Sequence, residues 1–151
     1  MRSDRLVTAL LLVGPAALLG GALGFQYLGG LAPCEMCLWQ RWALVAALGL
    51  ALLAWATGHA RAVLALAALA VLAGAGIAAF HVGVEQHWWE GITSCAAAPL
   101  TGTSADVMSQ IMAQPLVRCD AIAWSLFGIS MAGWNVIGST LIGGYALWRL
   151  K

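Results

Sequence analysis

Charged residues are scarce in this sequence. Asp, Glu, Lys and Arg make up 9% of its 151 positions, while apolar residues make up 62%. Soluble domains carry roughly a quarter charged residues, because a small folded body exposes much surface to water. The scarcity of charge excludes an ordinary water-soluble domain, and we expect no nucleic-acid partner. Membrane lipid is the expected solvent for most of the surface.

Four long stretches contain no charged residue at all, namely 6–34, 42–58, 62–80 and 121–148. A membrane-spanning helix needs about 20 mostly apolar residues, within a range of roughly 17–25. The sequence therefore predicts an all-α membrane protein, a single four-transmembrane-helix bundle over residues 1–151. The predicted spans are about 6–28, 42–58, 62–81 and 122–148.

The first stretch has an alternative interpretation as a signal peptide, because it follows the basic segment Met1–Arg5. The apolar run is longer than the roughly 7–15 residues of a signal-peptide core, and no convincing cleavage sequence follows it. We therefore expect it to remain as the first span.

Basic residues outside the spans predict the orientation, because they are enriched in cytoplasmic loops. Five of them lie in the two termini and the middle loop: Arg2, Arg5, Arg61, Arg149 and Lys151. Only Arg41 and Arg118 lie in the other two loops, at about 29–41 and 82–121. We therefore expect a bacterial inner-membrane protein with both termini in the cytoplasm and these two loops in the periplasm.

All four cysteines, Cys34, Cys37, Cys95 and Cys119, fall in the two predicted periplasmic loops. Disulfides persist in that oxidising compartment, so two redox-active or structural pairs are chemically reasonable there.

The first pair forms a C-x-x-C motif at the predicted start of the second helix. A position in or near the first turn would let the helix dipole stabilise a thiolate at Cys37. Arg41 follows at i+4 on the same helical face and adds a positive charge. This pattern predicts a redox-active dithiol with Cys37 as the thiolate.

A zinc site is the alternative for this motif, with further ligands from the second cysteine pair or from His81 and His87. The 23 residues between Cys95 and Cys119 differ from the spacing of about two to four in zinc motifs. We therefore expect no metal.

The second pair, Cys95 and Cys119, admits two interpretations. A disulfide between them could be a structural staple, worth roughly 3.5 kcal/mol in the chain-entropy model. It could equally be accessible to an attacking thiolate, since the loop between them is rich in Ala, Ser and Thr. The nearby C-x-x-C motif favours the exchange role.

A short helix is also predicted within the second loop. Its apolar stripe consists of Val107, Met108, Ile111 and Met112. The stripe either lies flat as an interfacial helix in the headgroup region or packs against the bundle, and the sequence leaves both open.

Three strings resemble the disulfide-bond formation protein B (DsbB) family of quinone-linked membrane thiol oxidases. They are PCEMCLWQR at 33–41, FHVGVE at 80–85, and Cys119-Asp120 followed by WSLFGIS at 124–130. The string Cys-x-x-Cys-x-x-Gln-Arg is the specific one, because a bare C-x-x-C occurs in many proteins.

This resemblance implies a relay of electrons. A periplasmic DsbA-like thiol oxidase would attack the Cys95–Cys119 disulfide, most naturally at Cys95. Cys119 would then attack Cys34 and release Cys37 as a thiolate beside a membrane quinone, either ubiquinone or menaquinone.

Two further residues are expected to bind the quinone. Arg41 would stabilise the thiolate and the negative charge that develops on a quinone oxygen. His81 would donate a hydrogen bond to a quinone carbonyl, or it would instead pair with Glu85 at i+4. We expect Glu85, His87 and Glu90 to be solvated loop residues, and Asn135 to bond across helices in mid-span.

Two alternatives remain at this stage. A protein similar to vitamin K epoxide reductase also couples loop cysteines to a quinone, but its C-x-x-C tends to lie late in the chain. A structural or transport subunit would use the four cysteines only to staple its loops.

Overall fold

The computed structural model describes residues 2–92, 102–113 and 117–151. The elements in these ranges are α1 (Arg2–Tyr27), α2 (Glu35–Ala56), α3 (Arg61–Glu85), α4 (Ser104–Ala113), β1 (Ser125–Leu126), β2 (Ile129–Ser130) and α5 (Met131–Leu150).

Helices α1, α2, α3 and α5 form the bundle. The most extensive contacts join α3 to α2 and to α5, and α1 packs on α2 and α5. The fully buried core is made of Leu11 and Leu64 together with many alanines, including Ala47, Ala68 and Ala146. Such small side chains let helices approach closely, as is typical of membrane bundles. The predicted mostly helical membrane fold is therefore confirmed.

Among the described residues, three helices are long and apolar enough to cross a membrane: Asp4–Tyr27, Glu35–Ala56 and Arg61–Glu85. The fourth bundle helix, α5, has 20 residues. The bounds also differ from those predicted. Helix α2 begins at the C-x-x-C motif, at Glu35, as predicted, although the predicted span starts only near 42; α3 continues to Glu85, beyond the predicted span end near 81.

The largest correction concerns the fourth predicted span, which does not begin near 122. A two-stranded hairpin precedes the helix and pairs Ser125 with Ser130 and Leu126 with Ile129. Its turn residues, Phe127 and Gly128, have φ of 53° and 77°. Two consecutive left-handed residues cannot continue a right-handed helix. Charge and hydropathy did not reveal this turn, because most of these residues are apolar.

Helix α5 begins at Met131, where the Ser130 hydroxyl accepts a hydrogen bond from the backbone N–H of Gly133 at 3.1 Å. This is a standard amino-terminal cap. Trp134 therefore lies in the first turn of the helix and donates from Nε1 to the Leu126 carbonyl at 3.3 Å.

Helix α4 forms at the predicted place but makes no extensive contact with the other described elements. Met108 and Met112 on its apolar stripe are 62% and 82% exposed, and Val107 is half-buried. The side chain of Ile111 lies outside the described part of the chain. Met108 and Met112 are thus largely exposed and not buried against the bundle.

Candidate redox site

The C-x-x-C motif forms the first turn of α2. Cys34 is the capping residue, with φ −75° and ψ 170°, and its sulfur accepts from the backbone N–H of Cys37 at 3.2 Å. The two Sγ atoms are 2.7 Å apart, and both cysteines are free thiols. The sequence correctly placed Cys37 in the first turn.

The two thiols are not equivalent. Cys34 is buried, with 5% of its surface exposed, and it donates its hydrogen to the Cys37 sulfur. That hydrogen bond and burial raise the pKa of the Cys34 thiol above its usual value. Cys34 therefore keeps its proton, and any single negative charge of the pair belongs on Cys37, at the positive end of the helix dipole.

His81 lies beside the dithiol, buried near the end of α3. Its Nε2 is 3.7 Å from Cys34 Sγ and 3.9 Å from Glu85 Oε1, while its Nδ1 is 3.1 Å from Gln40 Nε2. The ring thus lies beside Glu85, the pairing that the sequence offered as the alternative to a quinone contact, and also beside the Cys34 sulfur.

Glu85 was predicted to be a solvated loop residue, and that prediction was wrong. Because α3 extends to this position, the carboxylate faces the bundle and is only 8% exposed. The Ser130 hydroxyl donates a hydrogen bond to it. Burial of an acid requires such partners. His87 and Glu90, beyond the helix, are exposed as expected.

A chain of polar side chains continues behind His81. Gln40 Nε2 also donates to the Met36 carbonyl at 3.2 Å, and Gln40 Oε1 accepts from Asn135 Nδ2 at 2.7 Å. Asn135 Oδ1 in turn accepts from the Ser139 hydroxyl at 2.9 Å. Asn135 therefore bonds across helices, from α5 to α2, as predicted, although it lies in the second turn of α5 rather than in mid-span.

Arg41 is anchored on α1. Its NH1 donates to the side-chain oxygen of Gln26, and its NH2 donates to the Ala22 carbonyl at 3.1 Å. Two contacts from one guanidinium fix its orientation, which a lysine at this position could not reproduce.

An apolar cavity of about 650 Å³ opens beside these groups. Its walls come from α1, α2, α5 and the hairpin region, and they include Phe25, Trp124 and Trp134. Cys37, Arg41 and His81 all line it. A largely apolar cavity with a few convergent polar groups is the usual form of a small-molecule site.

Cys119 lies next to the first pair. It is 2% exposed, takes part in a disulfide, and packs in one cluster with Cys34, Met36 and Val84. Cys95 lies outside the described residues.

Three potential metal ligands also meet here. The ligand atoms of Cys34, Cys37 and His81 all lie within 4.8 Å of one another. By residue type this is a plausible set for a thiophilic ion. Whether the histidine can ligate depends on which ring nitrogen carries the hydrogen.

The chain is similar to known proteins over nearly its whole length. Residues 4–149 match the family described as disulfide bond formation protein DsbB. The chain belongs to the DsbB family. It is thus a membrane oxidoreductase of disulfide-bond formation, and the expected resemblance is confirmed.

Individual relatives cover nearly the whole chain. A "Disulfide bond formation protein B" from Aromatoleum aromaticum is 32% identical over 97% of this chain and 95% of its own length. One with the same name from Verminephrobacter eiseniae is 36% identical, covering 94% of this chain and 83% of its own. No solved structure matches the chain. Membership of this family argues against the structural-subunit and vitamin K epoxide reductase alternatives.

Sequence reasoning missed Gln26, Gln40 and Ser130. A signal for Gln40 was present, because Cys37, Gln40 and Arg41 at i, i+3 and i+4 share one face of a helix. Gln26 and Ser130 gave no such signal, because their partners are far away in the sequence.

Proposed function

We propose that this protein reoxidises a periplasmic DsbA-like thiol oxidase and passes the electrons to a membrane quinone. The observation that supports this most is the position of the Cys34–Cys37 dithiol on the wall of an apolar cavity that also contains Arg41. The burial of Cys119 against Cys34 adds support, because exchange between the two pairs needs this proximity.

The exchange begins at the outer pair. A thiolate of the reduced partner attacks Cys95 and breaks the Cys95–Cys119 disulfide. The released Cys119 thiolate attacks Cys34, forms Cys34–Cys119, and releases Cys37. The partner's second thiol then displaces Cys95, so that the partner leaves oxidised.

The inner pair then receives both electrons. Cys95 attacks Cys119, restores the outer disulfide and releases Cys34, so that Cys34 and Cys37 end as a dithiol. In total the partner loses two electrons and two protons, and the inner pair gains them.

The cavity residues fit a quinone. Apolar walls suit its ring and isoprenoid tail, and Arg41 is placed to bind one of its oxygens. His81 also lines the cavity, but its Nδ1 faces Gln40 and its Nε2 faces Cys34, so it acts on the dithiol and not on the quinone. A bound ubiquinone or menaquinone would supply the oxidant that takes the two electrons and two protons. The fixed guanidinium of Arg41 stabilises negative charge on Cys37 and on an oxygen in the cavity.

The proposal includes a location in the bacterial inner membrane, with α5 as the fourth span and both termini in the cytoplasm. The 20 residues of α5 are about the length required. Helix α4 would lie in the periplasmic headgroup region, with Met108 and Met112 facing the acyl chains.

Quinone reduction tests this function directly. Purified protein receives an excess of reduced DsbA-like partner and either ubiquinone or menaquinone, and the quinone absorbance is followed. We expect catalytic turnover that falls to background in Cys37→Ser, because the electron-donating thiolate is lost.

Ala105→Ser, on the exposed face of α4, is the control and should turn over as the unaltered protein does. Turnover that survives Cys37→Ser would refute the relay. The absence of any quinone reduction by the unaltered protein would refute the quinone as acceptor.

A further inference from the structure

The redox site contains a histidine whose two ring nitrogens have different neighbours. Nδ1 of His81 faces Gln40 Nε2, and Nε2 faces Cys34 Sγ. A neutral imidazole carries one hydrogen, so one nitrogen donates and the other accepts. The environment of Gln40 determines which is which.

The Met36 carbonyl fixes the orientation of the Gln40 amide. Gln40 Nε2 is 3.2 Å from this backbone oxygen, which can only accept. The reversed amide would place two acceptor oxygens at that distance with no hydrogen between them. The same orientation lets Gln40 Oε1 accept from Asn135, whose own oxygen accepts from Ser139. Every donor in this chain then has an acceptor.

The second hydrogen on Gln40 Nε2 therefore points to His81 Nδ1. Nδ1 must accept, and the ring hydrogen must be on Nε2. The neighbours of Nε2 agree, because the Glu85 carboxylate at 3.9 Å attracts a hydrogen-bearing nitrogen and the Cys34 sulfur at 3.7 Å can accept from it.

We propose that Gln40 is a positioning residue that holds His81 as the Nε2–H tautomer. His81 consequently donates to the Cys34 sulfur and withholds the lone pair that a metal ion bound by Cys34 and Cys37 would need. The inference rests on the proposed function, in which Cys34 leaves as a thiolate and this N–H stabilises it.

Withholding the lone pair matters because the reduced dithiol would otherwise share a three-ligand site with His81. A histidine that binds zinc through Nε2 normally donates its Nδ1–H to an acceptor. Gln40 offers a donor at that place instead. Zinc binding would require every hydrogen bond from Gln40 through Asn135 to Ser139 to reverse its direction.

The tautomer can be read by ¹⁵N NMR of histidine-labelled, reduced protein in lipid nanodiscs. The sequence has three histidines, and comparison with His81→Gln assigns the relevant signals. We expect a protonated Nε2 and an unprotonated Nδ1. A proton on Nδ1, or on both nitrogens, would overturn the proposal. The spectrum needs no turnover, so a protein that shows this tautomer but reduces no quinone would refute only the proposed function.

Gln40→Glu is the decisive variant, because a carboxylate at this place accepts from Nδ1–H and frees Nε2. We expect the tautomer to reverse and the affinity of the reduced protein for Zn²⁺ to rise at least tenfold. That is the low end of the about 10–100-fold contributed by partners of metal-bound histidines. Competition with a chromogenic chelator measures the affinity.

Gln86→Glu makes the same chemical change at an exposed position and should leave Zn²⁺ affinity unchanged. Adding His81→Gln to Gln40→Glu should abolish the gain. An unchanged affinity in a folded Gln40→Glu protein would contradict the proposal.

If that variant does not fold, Gln40→Met removes the donor without adding charge and should give a mixture of tautomers. A pure Nε2–H signal in Gln40→Met would contradict the role of Gln40.

Discussion

At the scale of single residues, the asymmetry between Cys34 and Cys37 carries the chemistry. Both cysteines line the cavity, but Cys34 is the capping residue of α2 and holds its proton, while Cys37 lies one turn from Arg41. In the proposed relay, one sulfur exchanges with Cys119 and the other faces the quinone. The same short sequence supplies both because a helix begins between them.

This asymmetry predicts selective alkylation of the reduced protein. The hydrogen bond to Cys37 and burial raise the pKa of the Cys34 thiol, so that it stays protonated as pH rises through the neutral and mildly alkaline range. Only thiolates react. We expect limiting iodoacetamide, at a pH of about 7–8, to label Cys37 before Cys34, with a labelling ratio of about tenfold or more. Peptide mass spectrometry measures the ratio, and equal labelling would disagree with the assignment.

Arg41 is the other residue with a proposed role at the site, and its contacts with Gln26 and Ala22 fix the orientation of its guanidinium. Replacing it with Met removes the charge beside the dithiol, and we expect quinone reduction to slow by about 10²–10³-fold, as when a charge-stabilising donor is removed. Arg41→Lys keeps the charge but loses the paired contacts with Gln26 and Ala22, so its rate should be intermediate.

Steady-state kinetics with varied quinone measure both variants. Arg149→Met, at the end of α5, removes the same charge far from the cavity and serves as the matched control. Equal rates of quinone reduction in Arg41→Met and Arg149→Met would show that Arg41 does not act at the site.

At the scale of elements, the α3–α5 contact positions the polar chain behind His81. A Cβ on Gly143 would lie 2.7 Å from Leu72 Cγ and 3.0 Å from the Ala68 carbonyl oxygen, so the two backbones touch there. Ser139, one turn earlier, is fully buried in the same interface. By contrast, a Cβ added to Gly20 or Gly24 of α1 would have no atom within 4 Å.

Gly143→Ala should therefore separate α5 from α3 and destabilise the protein by about 1–3 kcal/mol, as overpacking does. Gly144→Ala, where no atom lies within 4 Å, is the matched control and should be neutral. Thermal unfolding followed by tryptophan fluorescence compares the two. A Gly143→Ala protein as stable as the control would mean that the interface tolerates the added carbon.

At the scale of the whole molecule, the orientation in the membrane is the open prediction. Green fluorescent protein fused after Lys151 should fluoresce, because it folds in the cytoplasm. Alkaline phosphatase fused at this position should be inactive, and fused after Glu90 it should be active. The reverse pattern would place the cysteines in the cytoplasm, where disulfides do not persist, and would contradict the proposed function.

The arrangement of the molecule also shows which predictions were accessible from sequence. Charge-free runs identified α1 and α3 within a few residues but only the later part of α2, since lipid demands long apolar segments. The hairpin before α5 was missed because the sequence stays apolar there. Phe127 and Gly128 prevent a helix through their backbone conformation and not through polarity. The burial of Glu85 was missed for the related reason that hydropathy ended α3 too early.

The sequence by itself determined the membrane class, the segregation of the cysteines and the Cys37–Arg41 face, because these depend on composition and on local helical spacing. Tertiary structure alone decided that Cys34 meets His81, and that Gln40, Asn135 and Ser139 stand behind that ring. These partners come from α2, α3 and α5 and are up to 95 positions apart. No local pattern encodes such contacts, since they exist only once the helices pack.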